Sequence, residues 1–187
     1  FKIPQFGGAV RSYYLARALV EKGIRVVVVT GDNGPGYRTE SVDGIEVHYL
    51  PVSYDNRFGF ARRILAFYKF AIKAARFSAR HRDADLCYAI STPLTTGVAA
   101  MMLKRRFNMR YVFEVGDLWP DAPIEMGFIR NPILRRLLYG MEKRIYRNAD
   151  AIVALSVPIS HAINSKVSGK NIRVLPNMAD TDFYGPA

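Results

Sequence analysis

Between Asp117 and Pro123 the chain crowds two carboxylates, Asp117 and Asp121, around the indole of Trp119, with Pro120 and Pro123 restricting the backbone. An apolar run, Tyr111-Val112-Phe113, leads into them. In an open parallel sheet, ligands bind where strands end and loops begin. A tryptophan and two carboxylates at a strand end therefore mark a candidate site. The same residues also suit a rigid surface turn, with Trp119 half buried and both aspartates acting as caps or turn formers.

Other groups fall at comparable positions. Gly7-Gly8 stands directly before a helical pattern that contains Arg11. Two glycines let the backbone approach a ligand closely, and the free N–H groups of a helix start favour anions. The pair reads as a diphosphate cradle or as an ordinary flexible entry loop. Ser91-Thr92-Pro93 follows a strand pattern and offers either cleft hydroxyls or a helix cap. Asn177, after Leu175-Pro176, is a ligand contact or a turn former.

A different chemistry belongs to the segment Asn56–Arg82, which holds no acidic residue. At helical spacing Arg62, Lys69, Lys73, Arg76 and Arg80 form one narrow stripe, with Ile64, Phe67, Tyr68, Ala71 and Ala75 opposite. A basic stripe flanked by Phe70 and Phe77 suits an anionic lipid surface. It also suits a solvated outer helix face. Residues 132–148 add Arg135, Arg136, Lys143, Arg144 and Arg147 against a single acid, Glu142, and Lys104-Arg105-Arg106 extends the pattern.

The elements that must position these groups alternate. Strands are expected at Ile24–Thr30, Ile45–Leu50, Leu86–Ile90, Arg110–Val115, Ala151–Leu155 and Ile172–Leu175. The first is a β-branched run of the kind buried on both faces. Helices are expected at Ala9–Lys22, Phe58–Arg82, Leu94–Phe107, Pro132–Asn148 and Pro158–Val167, with Gly23 as a C-cap and Asn131-Pro132 as an N-cap and first turn. Residues 31–36 read as a surface loop. The pattern predicts α/β architecture, a Rossmann-like doubly wound parallel sheet with right-handed crossovers in one domain over residues 1–187. Both ends look cut: no strand precedes the first helix, and no helix closes the last strand.

The net charge of +11 favours anionic partners. Cys87 is the one cysteine, which excludes an internal disulfide and fits a reducing, cytosolic compartment. No apolar run reaches the ~18 residues of a spanning helix. The three histidines show no metal-ligand spacing, and no nucleophile elbow or nucleic-acid module is visible.

Five ordered segments carry a family resemblance: Gly7-Gly8 before an amphipathic helix; Leu19–Thr30 (LVEKGIRVVVVT); Glu114–Pro123 (EVGDLWPDAP); Ala149–Ser156 (ADAIVALS); and Val174–Asp180 (VLPNMAD). Together they resemble the N-terminal half of a family 4 retaining glycosyltransferase of the GT-B fold. The resemblance implies an acceptor-binding domain whose donor-binding partner domain lies C-terminal. It implies that Gly7 and Gly8 approach the donor diphosphate and that Asp117 faces the transferred sugar and acceptor. Asn177 and Asp180 match the asparagine and aspartate leading toward the second domain. Gly116 replaces the histidine or arginine common before that aspartate, and Met178-Ala179 replaces glycine-valine. The donor-site Glu-x7-Glu pattern is absent here.

The expected function is sugar transfer from a nucleotide-sugar to a saccharide or polyprenyl-diphosphate-linked acceptor in cell-surface polysaccharide synthesis. Catalysis would rest on Asp117, with Ser91, Thr92, Trp119, Asp121 and Asn177 in the cleft. No metal, cofactor or nucleic acid is expected. The location would be cytoplasmic, peripheral to the inner membrane through Arg62, Lys69, Lys73, Arg76 and Arg80. The rivals are an epimerase-like GT-B protein, and a non-catalytic Rossmann-like domain that binds an anionic membrane or RNA.

Overall fold

The structure, a computed structural model, describes residues 1–6, 10–55, 57–91 and 93–178. The chain divides into two units, Phe1–Phe58 with Asn177–Ala187, and Gly59–Pro176.

In the first unit α1 (Arg11–Glu21) buries Tyr13 and Ala16. Gly23 follows it with φ 78°, the left-handed conformation that ends many helices and that glycine adopts without strain. Strand β1 (Val27–Asp32) begins three residues later than expected, and Ile24 is exposed. β1 is half buried, not buried on both faces, because it pairs only with β3 (Ile45–Pro51) and forms a sheet edge among the described residues. The buried strand of this unit is the central one, β3, whose Ile45, Val47 and Tyr49 pack with Tyr13 and Ala16.

One strand was not expected. β2 (Arg38–Val42) pairs antiparallel with β3, Val42 opposite Ile45. The intervening Asp43 and Gly44 both have positive φ, 49° and 78°. That is the two-residue hairpin turn for which Asp-Gly is a preferred sequence. The loop expected over residues 31–36 is correspondingly shorter, since Gly31 and Asp32 belong to β1.

The second unit is a fully parallel sheet of four strands in the order β4-β5-β6-β7: Leu86–Ile90, Arg110–Val115, Ala151–Ala154 and Ile172–Val174. The first two match the expected bounds. The helices are α2 (Phe60–Ser78), α3 (Thr95–Phe107), α4 (Asp121–Glu125), α5 (Pro132–Asn148) and α6 (Val157–Lys166). Helix and parallel strand alternate, as in one Rossmann-like half of a GT-B fold.

The core gathers on β5. Tyr111, Phe113 and Val115 are buried with Ile145, Tyr146, Ile152 and Ile163. Each such side chain contributes roughly 1.5–3 kcal/mol on burial. The Tyr111 hydroxyl donates to the Ile145 carbonyl at 2.6 Å. Asp150 accepts from the Tyr111 N–H at 2.8 Å and from Lys104 at 2.7 Å. Burial would raise the Asp150 carboxyl, but Lys104 and the Tyr111 N–H outweigh it and hold the carboxyl below its ordinary value. Asn131 caps α5 as expected, its side-chain oxygen accepting from the N–H groups of Ile133 and Leu134.

Helix α2 ends earlier than expected and passes into a 3-10 turn, Ala79–His81. Its inner face is Ala66, Ala71, Ala74 and Ala75. Tyr68, expected opposite the basic stripe, is 43% exposed, with Leu65 and Ile72 beside it. At 100° per residue Leu65 and Ile72 lie nearer the stripe, whereas Tyr68 lies nearer the alanine face, so its exposure is set by how the helix packs and not by its angle.

Candidate active-site loop at the strand ends

Because β4, β5 and β6 run parallel, their C-terminal ends share one edge, and the polypeptide leaves that edge at Ser91, Gly116 and Leu155. Ser91 is buried. Its N–H donates to the Glu114 carbonyl at 2.7 Å, and its Oγ accepts from the Gly116 N–H at 3.0 Å. Ser91 thus ties the exit of β4 to the exit of β5, one residue before Asp117. It does not cap α3: Leu94 holds the cap position without a side-chain bond.

Asp117 is exposed. Its carbonyl accepts from the Trp119 N–H at 3.0 Å. Trp119 is half buried and meets Phe67 of α2 edge-on, with ring centroids 6.5 Å apart at 87°. Leu118 and Trp119 both pack on the core cluster. The Trp119–Pro120 peptide is cis, and the buried Pro120 leads directly into α4.

Asp121 opens α4, and its carboxylate is engaged. Lys166, at the end of α6, donates to both Asp121 Oδ2 and Glu142 Oε1, the latter at 2.7 Å. Glu142 is fully buried, and the Tyr146 hydroxyl donates to the same Oε1 at 3.0 Å. Its other oxygen, Oε2, has no hydrogen-bond partner among the described residues. Burial pushes the Glu142 carboxyl above its ordinary value, with Lys166 opposing the rise. Burial, and then the bond to Asp121, pushes the Tyr139 phenol up to about 12. Lys166 therefore clamps the far end of the Asp117–Asp121 loop onto α5 and α6.

Two polar residues here escaped the sequence reading. Glu114 is 1% exposed and accepts from the Tyr88 hydroxyl at 2.6 Å. A charge inside the apolar run YVFEV was the available signal. Lys166 gave none, because it lies 45 residues from Asp121.

Gly7, Gly8, Thr92 and Asp180 lie outside the described residues. Asn177 is exposed, three residues beyond β7. Arg62, Lys69, Lys73, Arg76 and Arg80 are all exposed, and the Arg80 guanidinium lies over the Phe77 ring at 5.1 Å. Of Lys104-Arg105-Arg106, Lys104 is bound to Asp150 and the Asn148 carbonyl. No described helix is long and apolar enough to cross a membrane, and no described cluster of His, Cys, Asp or Glu can hold a metal ion.

The loop thus presents an exposed aspartate, Asp117, just beyond the end of β5, the best-buried strand of its sheet, with its neighbours fixed at Gly116, Trp119 and Asp121. Such a group can bind and orient a hydroxyl.

A search of curated proteins gave no match. Among solved structures, sucrose-phosphate synthase from Thermosynechococcus elongatus superposes with a TM-score of 0.66 at 17% identity, over 94% of this chain and 44% of that one. A second structure of sucrose-phosphate synthase from the same organism gives 0.63 at 17% identity, over 92% of this chain and 87% of that one. At this identity the likeness is one of fold. This chain spans less than half of the first neighbour. Residues 6–178 match the glycosyl transferase 4-like domain. The chain belongs to the glycosyl transferase 4-like domain family.

Proposed function

We propose that this chain is the acceptor-binding part of a retaining glycosyltransferase that moves a sugar from a nucleotide-sugar to a saccharide or polyprenyl-diphosphate-linked acceptor at a membrane surface. The observation that carries the reading is the exposed Asp117 carboxylate on a loop held at Ser91–Gly116, Trp119–Phe67 and Asp121–Lys166. Fixing the backbone on both sides lowers the entropy cost of aligning a reacting hydroxyl. In this reading Asp117 accepts a hydrogen bond from the acceptor hydroxyl. Ser91, Trp119 and Asp121 are positioning residues, and Gly7 and Gly8 serve the donor diphosphate, whose charge grows as it leaves. Asn177 belongs to the cleft in this reading. The membrane part of the reading draws on the exposed basic residues of α2.

The test is Asp117→Asn in the full-length protein, assayed for sugar transfer across nucleotide-sugars and lipid-linked acceptors. The exchange is isosteric, and the side chain is exposed, so folding should be retained. The expected result is a kcat roughly 10²-fold lower, the scale of one positioned acid–base group. Unchanged kcat would remove Asp117 from the chemistry. Formation of an epimerised nucleotide-sugar in place of a transfer product would favour the epimerase rival.

A further inference from the structure

A second feature lies at the other end of the parallel sheet. The C-terminal turns of α2 and α3 precede the N-terminal ends of β4 and β5, so they stand at the edge opposite Asp117. Between them opens a groove of about 620 Å³. Its lining is mostly apolar, with Ala75, Ala79 and Leu103, and Arg76, Arg105 and Arg106 also line it. Among the described residues no carboxylate pairs with any of these arginines. Arg106 instead leans over the ring of Phe107, which also lines the groove, at 5.6 Å.

The groove continues into an exposed apolar track. Ile72 lies one turn before Ala75 and Arg76 on the same side of α2, and Tyr68 and Leu65 extend that line toward the helix start. Their exposures are 43%, 43% and 53%, and Met102, across the groove on α3, is 47% exposed. The basic stripe runs beside this track, with Arg76 common to both.

We infer that the α2–α3 groove binds the phosphate of an anionic phospholipid, Arg76, Arg105 and Arg106 holding the headgroup while Leu65, Tyr68, Ile72 and Met102 enter the acyl layer. Arginine forks match phosphate oxygens and are less strongly hydrated than lysine, so they suit a headgroup at the water–lipid boundary. A free phosphate explains the arginines but leaves the apolar lining and track in water. A lipid covers both. With the lipid so placed, α2 lies along the bilayer over its length of about 28 Å. Its N-terminal end, toward the strand exits, then also lies at the surface, where a lipid-linked acceptor would be presented. The inference rests on the membrane part of the proposed function and not on the chemistry assigned to Asp117.

The experiment is co-sedimentation of the full-length protein with phosphatidylcholine vesicles with and without phosphatidylglycerol, thermal melts confirming that each variant is folded. The unmodified protein should bind only the anionic vesicles. Replacing Arg76, Arg105 and Arg106 together with Gln should weaken binding about a hundredfold, at about 1 kcal/mol per basic residue near an anionic surface. Ala79→Phe, which fills the groove without changing charge, should weaken it by about tenfold. Neutralising Lys143, Arg144 and Arg147 on α5 removes the same charge outside the groove and should cost less than tenfold. Glycerol 3-phosphate and a short single-stranded RNA should not compete. Equal losses for the two triple variants, an unaffected Ala79→Phe, or competition by either soluble anion overturns the groove and leaves general electrostatic attachment. Absence of vesicle binding by the unmodified protein overturns the membrane reading itself. None of these outcomes bears on transfer activity.

Discussion

Replacing Lys166 with Met removes the cation that Asp121 and Glu142 share, while keeping a long apolar stem of similar length. Glu142 is then left with no exposed surface and with the Tyr146 hydroxyl as its remaining donor among the described residues. Its Oε2 already lacks a partner there. Removing one member of a buried ion pair costs about 3–5 kcal/mol, because the other charge stays buried. The Lys166 and Asp121 side chains are 16% and 21% exposed, so some water reaches the site, and the lower end, about 3 kcal/mol, is the expected loss. At about 2–4 °C per kcal/mol for a chain of this size, the melting temperature should fall by roughly 6–12 °C.

The loss should also depend on pH. Burial raises the Glu142 carboxyl in the folded chain, so the unfolded chain releases that proton first. Stability from this group therefore falls as pH rises from the ordinary carboxylate value through the folded value, and is level above it. Without Lys166 to oppose the rise, the fall extends to higher pH. The deficit of Lys166→Met should be largest near neutrality and shrink as pH falls through about 4, below which Glu142 becomes neutral in both states. Adding Glu142→Gln to Lys166→Met should recover part of the loss, a coupling of about 1–3 kcal/mol. The assay is urea unfolding followed through Trp119, the only tryptophan, which lies in the clamped loop itself. A deficit under about 1 kcal/mol, or one independent of pH, would refute the view that Lys166 neutralises a buried charge.

Two further predictions concern packing and reactivity. A Cβ at Gly97 would stand 2.5 Å from Ile145 Cγ2 and 2.9 Å from Phe113 Cε2, both on fully buried side chains, so Gly97→Ala should destabilise by about 1–3 kcal/mol. Gly140, with nothing within 4 Å, is the contrast: Gly140→Ala should stabilise α5 by up to about 1 kcal/mol, read by the same urea titration. Burial pushes the Cys87 thiol up to about 11, so iodoacetamide at pH 8 should alkylate it at least about 100-fold more slowly than free cysteine, the rate rising as pH approaches that value. Fast labelling at pH 8 would show that β4 opens readily.

The local elements were legible because they depend on neighbours in sequence. The β-branched and apolar runs located β4 and β5, Asn131-Pro132 located the start of α5, and Gly23 the end of α1. β2 was missed: Asp43-Gly44 marks a hairpin turn by residue type, but the exposed strand lacks the apolar alternation that usually draws attention. The placement of Asp117 after an apolar run also followed from sequence. What surrounds that aspartate did not. The Ser91–Gly116 bond spans 25 residues, Lys166–Glu142 spans 24 and Lys166–Asp121 spans 45. Periodicity tells which face of an element is apolar, not which distant polar group will meet it. The partners of Asp121 and Glu142, the exposure of Tyr68 and the arginine groove between α2 and α3 were therefore fixed only by how the helices pack on the sheet. Burial is a property of the assembled layers, and a carboxylate's chemistry follows from what the assembly leaves beside it.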